Sequence, residues 1–209
     1  MNSRIIGITG RSGSGKSTLV KYLLKYYGPE HVTLHTMDNY YLPRDMQIKD
    51  TEDYLNFDLP TSFYRDRFHL DLDSLSAGQV VRLEEYQFNN KDNAKVLTID
   101  PAPIILVEGL FVFHYSHVAD RLDLKVLVDI SYEEAFRRRM IRDQKERNYT
   151  PEEIAYRYTH HVEPSYQKFI QPYEKTVDLL IDNSVDMTQE LDELHRYIDQ
   201  HLALKKENQ

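Results

Sequence analysis

The chain has 209 residues, enough for one domain or one domain with a small appendage and enough to bury a substantial core. Its composition, 41% hydrophobic and 29% charged, is that of an ordinary soluble globular protein. The lack of any cysteine excludes a disulfide framework, thiolate metal sites and cysteine nucleophiles, and a net charge of −8 argues against coating nucleic acid or an anionic membrane.

No apolar run is long enough to span a bilayer. The opening MNSRIIGITG enters an apolar run without the layout of a signal peptide, so a cytoplasmic protein is expected. Of only seven glycines, four (Gly7, Gly10, Gly13 and Gly15) crowd into the first fifteen residues.

In chain order, Ile5 to Thr9 is short, apolar and β-branched, which predicts a buried strand. Apolar residues Leu19, Val20, Leu23 and Leu24 then fall at helical spacing until Gly28-Pro29 stops them. Val32 to Thr36 predicts a second strand. Residues 38 to 60 read as a long loop, and loops of that length in compact domains usually carry function. A helix is expected over 62 to 76, with Phe63, Phe68, Leu72 and Leu75 facing inward. Val80 to Phe88 and Lys95 to Ile99, separated by Asn89 to Asn93, predict a β-hairpin.

Ile104 to Val107 is a continuous apolar strand ending at Glu108-Gly109, and Leu124 to Ile130 is another. A very basic helix is expected over 131 to 147. Thr150-Pro151-Glu152-Glu153 then opens a further helix, with Thr150 as N-cap. Val177 to Ile181 is a last strand, and 187 to 204 a last amphipathic helix. Five short strands alternating with helices predict an α/β fold with a mainly parallel sheet, carrying the hairpin at 80 to 99 as an appendage on a single domain spanning 1 to 209.

Residues 10 to 17 read Gly-Arg-Ser-Gly-Ser-Gly-Lys-Ser and match the phosphate-loop pattern G-x-x-x-x-G-K-[ST] between a strand and a helix. Glycines let backbone N–H groups close on phosphate oxygens, and the helix that follows turns its positive end to the same anion. The expected nucleotide contacts are Gly10, Ser12, Gly13, Ser14, Gly15, Lys16, Ser17 and Thr18. Lys16 would reach the β- and γ-phosphates, and Ser17 would offer its hydroxyl to Mg²⁺. The D-x-x-G and N-K-x-D signatures of a GTPase are absent, and a motor or AAA-type ATPase would normally be larger, which leaves a small-molecule kinase as the leading class.

Such a kinase needs an acceptor base, an acceptor pocket and a basic lid. Asp38 lies just past the second strand, where a carboxylate can take the proton of an acceptor hydroxyl. Glu108 ends the third strand and is the nearest stand-in for a Walker-B carboxylate on the metal. Six of 26 basic residues fall between 137 and 147, and Arg138, Arg139 and Arg142 share one side of the expected helix, with Arg147 beyond them. The region 137 to 160 is therefore the expected lid. Tyr41, Asp58, Tyr86 and Phe88 are candidate acceptor contacts.

Together these residues resemble the uridine kinase (uridine–cytidine kinase) family, within the phosphoribulokinase/uridine kinase group of P-loop kinases. The likeness runs from about residue 4 to 185. It rests on the phosphate loop, Met37-Asp38-Asn39-Tyr40-Tyr41, Asn56-Phe57-Asp58-Leu59-Pro60, Tyr86-Gln87-Phe88, Val107-Glu108-Gly109, Arg138-Arg139 to Arg147, and Val162-Glu163-Pro164. It implies Mg²⁺-dependent phosphorylation of a nucleoside 5′-hydroxyl by ATP (or GTP), most simply that of uridine or cytidine. On that likeness Asp38 is the base, Tyr41 and Asp58 hold the ribose, Tyr86 and Phe88 hold the nucleobase, and Arg139, Arg142 and Arg147 are lid arginines. The family commonly assembles, which leaves a homo-oligomer open.

The chain also departs from the pattern. Lys91 stands where a His is expected, Asn93 where an Arg is, Tyr149 where a lid Arg is, and Arg157 where a Gln is. Lysine only donates and carries charge, so an acceptor with an anionic or carbonyl group near Lys91 becomes an alternative. Two rival readings follow: a kinase for another hydroxylated metabolite, such as a ribosyl-nicotinamide or a sugar phosphate, and a nucleotide-binding regulator without transfer.

Overall fold

A computed structural model describes residues 3–88, 95–184 and 188–206. Five strands, β1 (Arg4–Thr9), β2 (Val32–Thr36), β5 (Ile104–Glu108), β6 (Leu124–Asp129) and β7 (Leu179–Asp182), form one sheet in the order β2-β5-β1-β6-β7. Every pairing in it is parallel. A parallel sheet is covered on both faces, and its central strands are the most apolar: all five residues of β5 are buried, as are five of six in β1.

One face packs on helix α1 (Lys16–Tyr27) and helix α7 (Thr188–Lys206), through Leu19, Val20 and Leu23 from the first and Leu194 and Ile198 from the second. The other face packs on Phe68, Leu72 and Leu75 of α2 (Arg65–Ser76) and on Val81 and Leu83 of the hairpin. That hairpin, β3 (Val81–Glu84) with β4 (Val96–Ile99), is antiparallel and stands apart from the main sheet. A short helix α3 (Ser116–Ala119) follows β5.

After β6 comes the basic helix α4 (Tyr132–Arg147). The side chain of Ser131 caps it by accepting from the Glu134 amide, and Asn148 ends it in the left-handed conformation at φ 57°. The chain then runs through α5 (Pro151–Arg157), a π-turn (Tyr158–Val162) and α6 (Glu163–Phe169). Pro164 accounts for the irregular turn: it has no N–H to give to the carbonyl four residues earlier.

Several expected boundaries shift. The helix expected from residue 62 begins at Arg65, because Pro60–Ser62 forms a 3₁₀ turn and Phe63 bridges to Tyr41. The strand expected to reach Phe88 stops at Glu84, and the last strand starts at Leu179. The loop from 38 to 60 holds two 3₁₀ turns of its own and a Lys49–Leu55 bridge. The turn at Asn89 to Asn93, with Lys91, lies outside the described residues. Among the described residues no helix is long and apolar enough to cross a membrane.

The strand order decides where the chemistry can sit. Glu108 at the end of β5 lies in register with Thr36 of β2 on one side and Ile8 of β1 on the other. The carboxyl ends of three adjacent strands therefore bring together the phosphate loop, Asp38 and Glu108, at the crevice where α/β sheets take their ligands.

Candidate active site

The phosphate loop is built on glycines that no other residue could replace without strain. Gly10 has φ 147°, and a Cβ there would meet the Val128 carbonyl oxygen at 2.0 Å. Gly15 caps α1 in the left-handed conformation, and a Cβ there would meet Asn183 Nδ2 at 2.3 Å. That same amide donates to the Ser14 carbonyl at 2.7 Å, so the end of β7 braces the loop from below.

Lys16 is buried, and its ammonium donates to the carbonyls of Gly10 (3.1 Å) and Arg11 (3.2 Å). Burial pulls its pKa below the ordinary lysine value, against the pull of the Glu108 and Asp38 carboxylates. Ser17 and Thr18 are exposed to the crevice. They line a cavity of about 310 Å³ with Ser12, Lys16, Asp38 and Glu108.

Asp38 is exposed at the start of a 3₁₀ turn, and its amide donates to the Thr36 hydroxyl at 3.2 Å. The same hydroxyl donates to Glu108 Oε2 at 2.9 Å. One threonine thus holds the Asp38 backbone and the Glu108 carboxylate. Burial, together with the nearby Asp38 charge, raises Glu108 to about 7, opposed by Lys16 and by the Thr36 hydrogen bond.

The arginines of α4 divide by partner. Arg139 is buried and reaches Asp58 (3.3 and 3.5 Å), the Ser12 hydroxyl (2.8 Å) and Asp143 (3.1 Å). Arg142 and Arg147 also reach Asp143, at 2.8 and 3.5 Å. Asp143 is 1% exposed and is the hub of the lid. Burial would raise its pKa, but the three guanidiniums outweigh burial and hold it below the usual carboxylate range. Arg138, by contrast, is tied to Glu134 at 2.8 Å beside the loop.

The acceptor candidates form one aromatic cluster. Tyr41 lies 5.3 Å from Tyr86 and 5.5 Å from Phe88, ring to ring, and Phe57 lies 5.0 Å from Phe88. The Arg147 guanidinium sits 4.0 Å over Phe88 and closes the cluster from the lid side. These rings border a larger cavity of about 1180 Å³, which shares Tyr41, Phe88 and Arg147 with the smaller one. Asp58 lines the smaller cavity with Tyr41 and Phe88, its carboxylate turned to Arg139.

Sequence reasoning passed over several residues of this site. Asp143 is one, although its spacing four residues after Arg139 was a usable signal. Thr36 and Asn183 are two more, each joined to its partner only by the fold. Arg11 is buried, paired with Glu163 and stacked 3.6 Å over Tyr166, so that α6 holds the phosphate loop from outside.

A glycine loop on a helix start, a lysine within it, two carboxylates on neighbouring strand ends and a lid of arginines define a P-loop phosphotransferase with a hydroxyl acceptor. Comparison with known proteins makes this specific. The model of the phosphoribulokinase / uridine kinase family matches residues 5–189, and the chain belongs to that family. A uridine kinase of Chlamydia pneumoniae is 35% identical over 179 residues, covering 85% of this chain and 80% of the relative. A uridine kinase of Deinococcus deserti is 31% identical over 178 residues, covering 85% and 86%.

Among solved structures, phosphoribulokinase from Rhodobacter spheroides superposes with a TM-score of 0.62 at 17% identity, covering 87% of this chain and 70% of that one. A structure described as a possible uridine kinase from Bacillus stearothermophilus gives 0.60 at 17% identity, covering 86% and 89%. At that identity the likeness speaks for the fold.

Proposed function

We propose that the protein transfers the γ-phosphoryl group of ATP to the 5′-hydroxyl of a ribonucleoside, with uridine and cytidine the first acceptors to test. The observation that carries this reading is the juxtaposition of Lys16, Asp38 and Glu108 in one cavity beyond the ends of three adjacent strands, bordered by the aromatic cluster of Tyr41, Tyr86 and Phe88. The uridine kinase names of the relatives support the choice of nucleoside.

Asp38 is the base. It is exposed at the crevice floor, free to accept from the acceptor hydroxyl and to take its proton as the oxygen bonds to phosphorus. Lys16 and the loop amides hold the phosphates. Arg139, Arg142 and Arg147 exchange part of their hold on Asp143 for the phosphate oxygens, where they offset charge on the transferring group. Tyr41 and Asp58 orient the ribose, and Tyr86 and Phe88 take the base.

The donor set suits Mg²⁺: a serine hydroxyl and a buried carboxylate on the same cavity are the hard oxygen ligands this ion prefers. Ser17 and Glu108 would hold the ion, which would neutralise charge on the phosphates. The whole chain acts as one domain in this reading, with the hairpin as acceptor wall and residues 137–160 as lid.

The test is ATP consumption with uridine, cytidine and purine nucleosides, for the wild type and for Asp38→Asn. Turnover with a pyrimidine nucleoside is expected, and loss of the base should lower kcat by about 10² or more. Failure of both pyrimidines removes the substrate assignment, and an unchanged kcat removes Asp38 from its role.

A further inference from the structure

The larger cavity carries a charge that a neutral nucleoside would not use. Four arginines line it, Arg44, Arg67, Arg82 and Arg147, against two carboxylates, Glu84 and Glu85, in a chain whose net charge is −8. Among the described residues two of the four have a carboxylate partner, and Arg82 is exposed on the hairpin. Arg67 approaches Asp71 at 3.7 Å, and Arg147 belongs to the Asp143 hub.

Arg44 differs. It is half-buried, and no ion pair joins it to a carboxylate of the described residues. Its guanidinium lies 5.6 Å over the Phe57 ring, and its charge acts on the Tyr86 hydroxyl. It therefore sits among the aromatic rings of the acceptor cluster and not out in solvent. Tyr149 lines the same wall, with the Arg157 guanidinium 4.9 Å over its ring.

The two cavities share Tyr41, Phe88 and Arg147. A single acceptor can thus present a hydroxyl to Asp38 in the smaller cavity and extend past Tyr41 to Arg44 in the larger. A guanidinium held over an aromatic face, with no carboxylate partner among the described residues, is suited to a planar carboxylate or to a phosphate.

We infer that the acceptor carries a carboxylate or phosphate at the end remote from the hydroxyl it offers, and that Arg44 receives this anion. The inference rests on the reading of Asp38 as the base, and it narrows the acceptor from nucleosides in general to anionic ones.

The experiment compares kcat/KM for three acceptors: uridine, uridine bearing a carboxylate on the base, and ribose 5-phosphate. Each is assayed with the wild type, Arg44→Gln and Arg44→Lys. One charge-assisted contact corresponds to about 10- to 100-fold. The wild type should prefer one of the two anionic acceptors over uridine by about that factor. Arg44→Gln should remove most of the preference, and Arg44→Lys should keep part of it. Preference for the carboxylated nucleoside identifies a base carboxylate, and preference for the other a sugar phosphate.

Uridine used as well as or better than both overturns the inference while leaving the kinase reading intact. So does an equal loss toward neutral and anionic acceptors in Arg44→Gln. No turnover with any acceptor, in protein that still binds ATP, overturns the kinase reading and this inference with it.

Discussion

Replacing Asp143 by Asn tests how the lid is held. The change is nearly isosteric and removes one charge from the point where Arg139, Arg142 and Arg147 meet, at 3.1, 2.8 and 3.5 Å. Breaking a buried pair by removing one partner costs about 3–5 kcal/mol, because a charge is left buried without compensation. Arg139 is the buried one, and it keeps Asp58 and the Ser12 hydroxyl. The cost should therefore fall at the lower end, about 3 kcal/mol, or about 6 to 12 °C in Tm for a chain of this size.

ATP should respond in the opposite direction. Asp143 competes with phosphate for the same guanidiniums, so its neutral replacement leaves them freer to take phosphate oxygens. ATP affinity should hold or improve while the ligand-free protein loses stability. Thermal melts with and without ATP, together with titration of ATP binding, read both quantities. A loss of under about 2 °C would refute the account of the hub as a structural anchor. A weakening of ATP binding in step with stability would refute the competition.

Three further outcomes follow from the site. Lys16→Ala should weaken ATP binding and lower kcat together, and full activity would undo the phosphate-loop assignment. Glu108 is raised to about 7 from an ordinary value of 4.5, so the folded chain keeps a proton that the unfolded chain has already lost. Its contribution to stability therefore declines as pH rises between those two values, and the whole penalty is present above pH 7. Glu108→Gln should accordingly gain more in Tm at pH 8 than at pH 5, measured without nucleotide or metal, and equal gains would contradict the raised pKa. Gly10→Ala should destabilise the protein and abolish activity, since a Cβ would lie 2.0 Å from the Val128 carbonyl; a fully active variant with native Tm would show that the loop can relax.

What could be read from the sequence follows the range of the interactions. The phosphate loop was legible because glycines, lysine and serine at fixed spacing specify it within eight residues. The central sheet strands were legible because burial on both faces makes Ile5 to Ile8 and Ile104 to Val107 almost continuously apolar. The inward face of α2 was legible from Phe68, Leu72 and Leu75, although its start was not, because Phe63 was claimed by a bridge to Tyr41 that sequence spacing does not encode.

The bracing of the site was the least legible part. Asn183 reaches Ser14, Arg11 reaches Glu163, and Asp58 reaches Arg139, each across more than eighty residues. No local pattern announces such partners. The resemblance to uridine kinases pointed to Asp58 and Arg139 separately, while their pairing emerges only when α4 is laid across the acceptor loop.

The most direct test of the central claim follows the γ-phosphoryl group itself. Wild-type protein, γ-labelled ATP, Mg²⁺ and a panel of nucleosides and anionic ribosyl acceptors are incubated together, and the labelled product is identified. The account expects label on an acceptor hydroxyl in one-to-one proportion with ADP, and expects that transfer to fall by about 10² in Asp38→Asn. Label released only as inorganic phosphate, or ATP bound and never cleaved in the presence of every acceptor, would contradict it.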